Sequence, residues 1–186
     1  LEICGARADW IMGDYIAEAV AQIRAQMCSE VRRYAQHPAV LAFAIGNEIP
    51  PQIVRWHGAR KIEAFLKQLH HDVKAVAPTK LVTYVNFPPT DYLDLEFLDF
   101  VCFNVFLHRQ EDFNAYLAKL QNVAGHQPLV LTELGMDSIN HGEDGQAAFL
   151  DWQLREAFKG GAAGVCVFSW TDDWYRGGNQ ITDWAF

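Results

Sequence analysis

One recurring pattern limits the fold of this chain more than any other feature: a helix-spaced apolar face, then a short continuous apolar run, then a polar residue at once. Ile16, Val20, Ile23, Met27, Val31 and Tyr34 advance by three or four, tracing one face of a helix that must stop near His37-Pro38, because proline cannot continue it. Val40-Leu41-Ala42-Phe43-Ala44-Ile45 follows as an apolar run, the mark of a strand covered on both faces, and ends in Gly46-Asn47-Glu48. A second helix with Ile62, Phe65, Leu66, Leu69, Val73 and Val76 inward ends before Pro78, and Leu81-Val82-Thr83-Tyr84-Val85 runs into Asn86. Phe100-Val101-Cys102-Phe103 runs into Asn104. A helix carrying Phe113, Tyr116, Leu117, Leu120 and Val123 stops at Gly125, and Pro128-Leu129-Val130-Leu131 leads into Thr132-Glu133. The last unit places a helix across Ala148, Trp152 and Phe158, stopped by Gly160-Gly161, before Val165-Cys166-Val167-Phe168 and Ser169-Trp170.

Helices alternating with short buried strands imply βαβ units and a parallel sheet, either a (β/α)₈ barrel or a doubly wound open sheet. The polar residues separate the two. Asn47, Glu48, Asn86, Asn104, Glu133 and Trp170 stand at the C-terminal ends of successive strands, where a barrel assembles its active site. An open sheet concentrates its site at one switch point and usually carries a glycine-rich phosphate loop, which this sequence lacks. The expected fold is an α/β TIM barrel, with residues 1–186 as one domain. Only 39 residues precede Val40, whereas three barrel units of about 31 residues occupy about 94. The expectation is a partial barrel covering about strands four to eight, stopping short of an eighth helix.

Charge narrows the partners. With 15 Lys+Arg against 23 Asp+Glu the formal charge is −8, which argues against nucleic acid or an anionic membrane surface. No run approaches the roughly 18 apolar residues that span a bilayer, and no basic-then-apolar leader opens the sequence, so localisation is unmarked. Cys4, Cys28, Cys102 and Cys166 form no Cys-x-x-Cys pair and read as free thiols, with Cys102 and Cys166 inside apolar runs and expected to be buried. His70-His71 is an adjacent pair directed to different helix faces, no His-Glu-x-x-His occurs, and the acidic loop Asp91, Asp94, Glu96 and Asp99 lacks EF-hand spacing. No metal and no cofactor is expected.

Glu48 and Glu133 carry the chemistry. Each follows an apolar strand, and they are 85 residues apart, close to three barrel units of about 31 residues, which sets them three strands apart at one barrel mouth. A pair of carboxyls at that spacing suits glycosidic bond cleavage: one, protonated, gives the leaving oxygen a proton, and the other, ionised, attacks the anomeric carbon. Trp170 offers a stacking face for a sugar ring.

At these residues the chain resembles a known family. His37-Pro38-Ala39-Val40 through Gly46-Asn47-Glu48-Ile49-Pro50 resembles the acid/base strand of clan A glycoside hydrolases, above all the family 2 barrel of β-glucuronidases and β-galactosidases. Pro128-Leu129-Val130-Leu131-Thr132-Glu133-Leu134-Gly135 resembles its nucleophile strand, and Phe168-Ser169-Trp170-Thr171-Asp172 its final strand. More narrowly, Ile53-Val54-Arg55-Trp56-His57-Gly58 and Leu81-Val82-Thr83-Tyr84-Val85-Asn86-Phe87-Pro88 resemble family 2-type barrel modules that precede a processive glycosyltransferase in some bacterial polysaccharide-synthesis proteins.

The resemblance implies Glu48 as acid/base and Glu133 as nucleophile of a retaining double displacement, Asn47 bonded to the sugar 2-hydroxyl, and Trp170 on the floor of the subsite holding the reacting sugar. The implied substrate is an oligo- or polysaccharide, and the implied partner a covalently linked glycosyltransferase domain. One position departs from the family. Where family members usually place a tyrosine that supports the nucleophile, this chain reads Asn104-Val105-Phe106-Leu107-His108. Phe106 donates no hydrogen bond, so either His108 or Tyr84 takes that part, or Glu133 works with one donor fewer.

Asn86, Asn104, Trp56 and Asp172 complete the candidate substrate-binding set, with Trp56-His57 and Asp172-Asp173-Trp174-Tyr175 read as loop aromatics after strand ends, serving either binding or packing. Two alternatives to a retaining glycosidase or transglycosylase stand beside it. A catalytically silent carbohydrate-binding barrel attached to a glycosyltransferase would tolerate Phe106. A barrel with metal-dependent chemistry would need several converging His/Asp ligands at strand ends, and these are not seen.

Overall fold

The computed structural model describes residues 16–169 and the short strand pair Tyr175–Arg176 and Asn179–Gln180. The chain divides into two compact units, Leu1–Cys102 and Phe103–Phe186.

The first unit contains α1 (Ile16–Tyr34), β1 (Ala42–Asn47), α2 (Pro51–His57), α3 (Ala59–Val76), β2 (Leu81–Asn86), a single 3-10 turn at Pro88–Thr90, and the start of β3 (Val101–Asn104). β1 and β2 pair in parallel, Phe43 opposite Val82 and Ala44 opposite Thr83, with the register shifting so that Asn47 falls opposite Val85. β2 buries side chains on both faces, as its apolar run requires, whereas β1 buries Phe43 and Ile45 on one face and leaves Ala42 and Ala44 half-buried on the other. Ile62, Leu66, Leu69 and Val73, one stripe of α3, join Phe43, Val82 and Tyr84 in a core that also takes Met27 and Val31 from α1. Arg24 on α1 forks onto Asp72 on α3 at 2.6 and 3.0 Å. Each buried Leu or Phe contributes about 1.5–3 kcal/mol, whereas an ion pair with an exposed member is screened by water and adds little, so the apolar stripe holds α3 in place and the pair fixes its alignment. Before β3, Asp99 accepts the Val82 N–H at 2.6 Å and pairs with Lys74 at 2.6 Å, so this member of the acidic loop is structural.

The second unit contains the end of β3, α4 (Gln110–Ala124), β4 (Leu129–Leu134), α5 (Ser138–Lys159), β5 (Gly164–Val167), and the two-residue antiparallel strands β6 (Tyr175–Arg176) and β7 (Asn179–Gln180). β4 and β5 pair in parallel, Val130 opposite Gly164 and Leu131 opposite Val165. Strand order is β1-β2-β3 in the first unit and β3-β4-β5 in the second. Phe113, Leu117, Leu120 and Ala124 form the buried stripe of α4, and Gly125, at φ 59°, stops the helix.

The elements differ from expectation at particular residues. β1 begins at Ala42 and Leu41 is exposed, because a turn closed by Val40 N–H onto His37 O carries the chain past both residues first. α5 begins at Ser138, ten residues ahead of Ala148, kinks at Gly142, and buries Phe149, Gln153 and Ala157 while Phe158 is exposed. Cys102 is buried as expected, but Cys166 is exposed: among the described residues β5 pairs with β4 alone, and its second half stays uncovered.

Candidate active site

Asn47 is the last residue of β1, and Glu48 follows it with φ 46°. A non-glycine residue in the left-handed region costs about 1–2 kcal/mol, so the surroundings must hold it there. Glu48 N–H donates to Val85 O at 2.9 Å, and the next N–H, that of Ile49, donates to the Tyr84 hydroxyl at 2.9 Å. The Tyr84 side chain is fully buried and packs on Gly46, where a Cβ would stand 3.1 Å from two of its ring carbons. Its hydroxyl therefore acts on the backbone beside Glu48.

Asn86, at the end of β2, is buried and spends its amide on its own loop. Nδ2 donates to Thr90 O at 3.1 Å, while Oδ1 accepts from Phe87 N–H at 2.9 Å and from the Thr90 hydroxyl at 2.7 Å. These bonds fix the 3-10 turn that carries the chain away from β2.

In the second unit, Asn104 ends β3 and is buried, and its side-chain oxygen accepts from the Thr132 hydroxyl at 2.8 Å. Val105 N–H donates to Glu133 O at 2.8 Å. Glu133 lies inside β4, one residue before its end, rather than after the strand as expected, because Leu134 O continues the ladder by accepting Phe168 N–H at 2.9 Å. Gly135 follows with the backbone of Phe168 so near that an added Cβ would lie 2.6 Å from its carbonyl oxygen. Phe106 meets Phe168 edge-on at 6.2 Å, an apolar contact.

Beyond Gly135, Asp137 caps α5, accepting the Asn140 N–H at 2.7 Å and contacting His141 Nδ1 at 3.1 Å. Burial pushes its carboxyl up, but the Asn140 N–H and His141 together hold it below the ordinary carboxylate value. His108, exposed after β3, stands edge-on to both His141 at 6.2 Å and Phe149 at 5.3 Å. The Asp137–His141 pair was missed by sequence reasoning. Its available signal was an aspartate opening the last helix, an ordinary N-cap.

Trp56 and His57 sit on α2 rather than in a loop, since Pro51, with its fixed φ and no N–H to lose, starts a helix directly after β1. Trp56 is 74% exposed, and His57 lines a cavity of about 160 Å³ with Val20, Ile23, Ile62 and Phe65. Trp170 and Asp172 lie outside the described residues. The first unit thus gathers Asn47, Glu48, Tyr84 and Asn86 at the C-terminal ends of β1 and β2. The second gathers Asn104, His108 and Glu133 at those of β3 and β4. Among the described residues no group of three His, Cys, Asp or Glu side chains is placed to hold a metal ion, and no helix is long and apolar enough to cross a membrane.

Residues 14–161 match the model of the family described as glycosyl hydrolases family 2, TIM barrel domain. Among solved structures, the chain is similar to a β-glucuronidase from Ruminococcus gnavus in complex with D-glucuronic acid, at 17% identity over 84% of this chain and 30% of that one, TM-score 0.70. It is similar also to a β-glucuronidase of Bacteroides uniformis, at 15% identity over 87% of this chain and 22% of that one, TM-score 0.70. At these identities the likeness is one of fold. A stretch of 27 residues, 14% of the chain, is 85% identical to the GMP synthase (glutamine-hydrolyzing) of Albidiferax ferrireducens, of which it spans 5%.

Proposed function

Since the chain belongs to family 2 of the glycosyl hydrolases through its TIM barrel domain, we propose that it works as a retaining β-glycosidase or transglycosylase on an oligo- or polysaccharide. The observation that carries the reading is the backbone of Glu48, a left-handed residue held by two hydrogen bonds directly after Asn47 at the end of β1. Strain of this kind is kept where a side chain has to be aimed.

In the proposed reaction Glu133 attacks the anomeric carbon while Glu48 protonates the departing glycosidic oxygen. Water then displaces the sugar from Glu133, with Glu48 taking its proton, so two inversions give net retention. Asn47 bonds the sugar 2-hydroxyl, a contact that strengthens as the ring flattens, and Trp170 faces the sugar in the reacting subsite. Asn104 and Asn86 serve by fixing strand ends and loops, consistent with their buried, internally bonded amides. His108, on the exposed rim, is proposed to contact the leaving portion of the substrate, as is Asp172.

A second reading is favoured by one observation. Phe106 meets Phe168 edge-on where the family pattern is expected to place a supporting tyrosine, which suits a silent carbohydrate-binding barrel linked to a glycosyltransferase. Labelling with activated 2-fluoro β-glycosides, a β-glucuronide first because the similar solved proteins are named β-glucuronidases, separates the two. A single adduct on Glu133, absent in Glu133→Gln, supports the glycosidase. Sugar binding without an adduct overturns it in favour of the binding barrel.

A further inference from the structure

We infer that Tyr84 is the positioning residue of Glu48, holding its backbone in the left-handed turn from which it works; the inference rests on reading Glu48 as the proton donor. Tyr84 brackets Glu48 along the chain. Ahead of it, the tyrosine ring lies against Gly46, where a Cβ would stand 3.1 Å from both Cδ2 and Cε2. Behind it, the hydroxyl accepts the Ile49 N–H at 2.9 Å. Between them, Glu48 N–H reaches Val85 O, the residue next to Tyr84, at 2.9 Å. One short stretch of β2 thus fixes Glu48 from three directions.

Each contact has a physical reason. β1 ends at Asn47, so the Ile49 N–H has left the ladder and needs another acceptor. A tyrosine on the neighbouring strand is long enough to supply one beyond the strand end. Phenylalanine would fill the same buried volume, so packing alone does not call for a hydroxyl, and burying one is costly unless it is bonded. An extended residue at Glu48 would send the side chains of Asn47 and Glu48 to opposite faces. The left-handed turn interrupts that alternation and lets two successive residues serve one site. Gly46 completes the arrangement, because a Cβ there would stand 3.1 Å from two ring carbons and make the ring give by a few tenths of an ångström.

Tyr84→Phe keeps the ring and removes the acceptor. In the full chain, turnover of aryl β-glycosides whose leaving groups span weak to strong acidity would be measured, together with amide hydrogen exchange at Ile49 and Glu48. A displaced proton donor is expected to lower kcat/KM for poor leaving groups by about ten- to a hundredfold. Substrates whose leaving group needs no proton should stay near wild type, and exchange should quicken at Ile49 more than at Glu48. Gly46→Ala, which presses on the ring from the other side, is expected to give the same leaving-group dependence. Equal loss for every leaving group, or unchanged Ile49 exchange, overturns the positioning role while leaving the glycosidase reading intact. A wild-type chain that neither turns over nor labels on Glu133 overturns the glycosidase reading, and the catalytic part of this inference with it.

Discussion

The Thr132 hydroxyl donates to the Asn104 side-chain oxygen at 2.8 Å, tying β4 to β3 one residue ahead of Glu133. The bond sits where β3 ends and where Glu133 O accepts Val105 N–H, so the two strands are joined through side chain and backbone at neighbouring positions. Thr132→Val keeps the shape and deletes the donor. The expected loss is about 1–2 kcal/mol of unfolding free energy, read by urea denaturation, because the hydrogen bond from Thr132 to a buried oxygen is deleted. Thr132→Ser, which restores the hydroxyl, should recover most of it. Equal stability of the Val and wild-type chains would mean the bond is incidental.

Gly135 is required for its lack of a side chain. An added Cβ would lie 2.6 Å from the Phe168 carbonyl oxygen, a backbone atom that cannot rotate away. Gly135→Ala is therefore expected to part the turn after β4 from the end of β5, at a cost of about 1–3 kcal/mol. Thermal melting with hydrogen exchange should localise the damage to Leu134 and Phe168, whose backbone bond spans 2.9 Å. Faster exchange elsewhere, with these two protected, would place the strain in another part of the unit.

Much of this framework was legible in the sequence because periodicity reports burial directly. The spacing of Ile62, Leu66, Leu69 and Val73 marked the buried stripe of α3, and proline and glycine marked where helices stop. Three things were hidden. α2 looked like a loop, since Pro50-Pro51 reads as a breaker until the second proline is recognised as a helix start. Gln153 occupies a fully buried position on α5 between Phe149 and Ala157, and a polar letter there breaks the apolar count. The left-handed turn at Glu48 carries no signal, because glutamate does not favour that region and the tyrosine stabilising the turn is 36 residues further on. The carboxylates themselves were visible as types at strand ends, while the bonds that aim them depend on contacts no single stretch encodes.

Acid should weaken the link between α1 and α3 in a predictable window. The Arg24 guanidinium, bonded to Asp72, holds the Asp72 carboxyl below its ordinary value of 3.8. A carboxyl with a depressed folded value contributes stability above the unfolded value, and that contribution disappears as pH falls through the folded one. Asp72→Asn is therefore expected to lower the melting temperature by about 2–4 °C at pH 7. The gap to wild type should close as pH drops below 3.8. A gap that stays constant across this range would show that Asp72 acts through packing rather than charge.

The roles proposed for Glu48 and Glu133 are separable by what each residue does to the two steps. If Glu48 only protonates the leaving oxygen and later activates water, Glu48→Ala should lower kcat/KM by about 10²–10⁴-fold for substrates with poor leaving groups and far less for activated ones. With an activated substrate the sugar then accumulates on Glu133, and azide, which needs no general base, should restore turnover to a β-glycosyl azide of retained configuration. Glu133→Ala removes the attacking carboxylate, so every leaving group should suffer, and azide entering the vacated space from the opposite face should give the inverted α-azide. Product configuration by NMR distinguishes the two variants without reference to rate. The same configuration from both would assign one role to two residues and dismiss the double displacement.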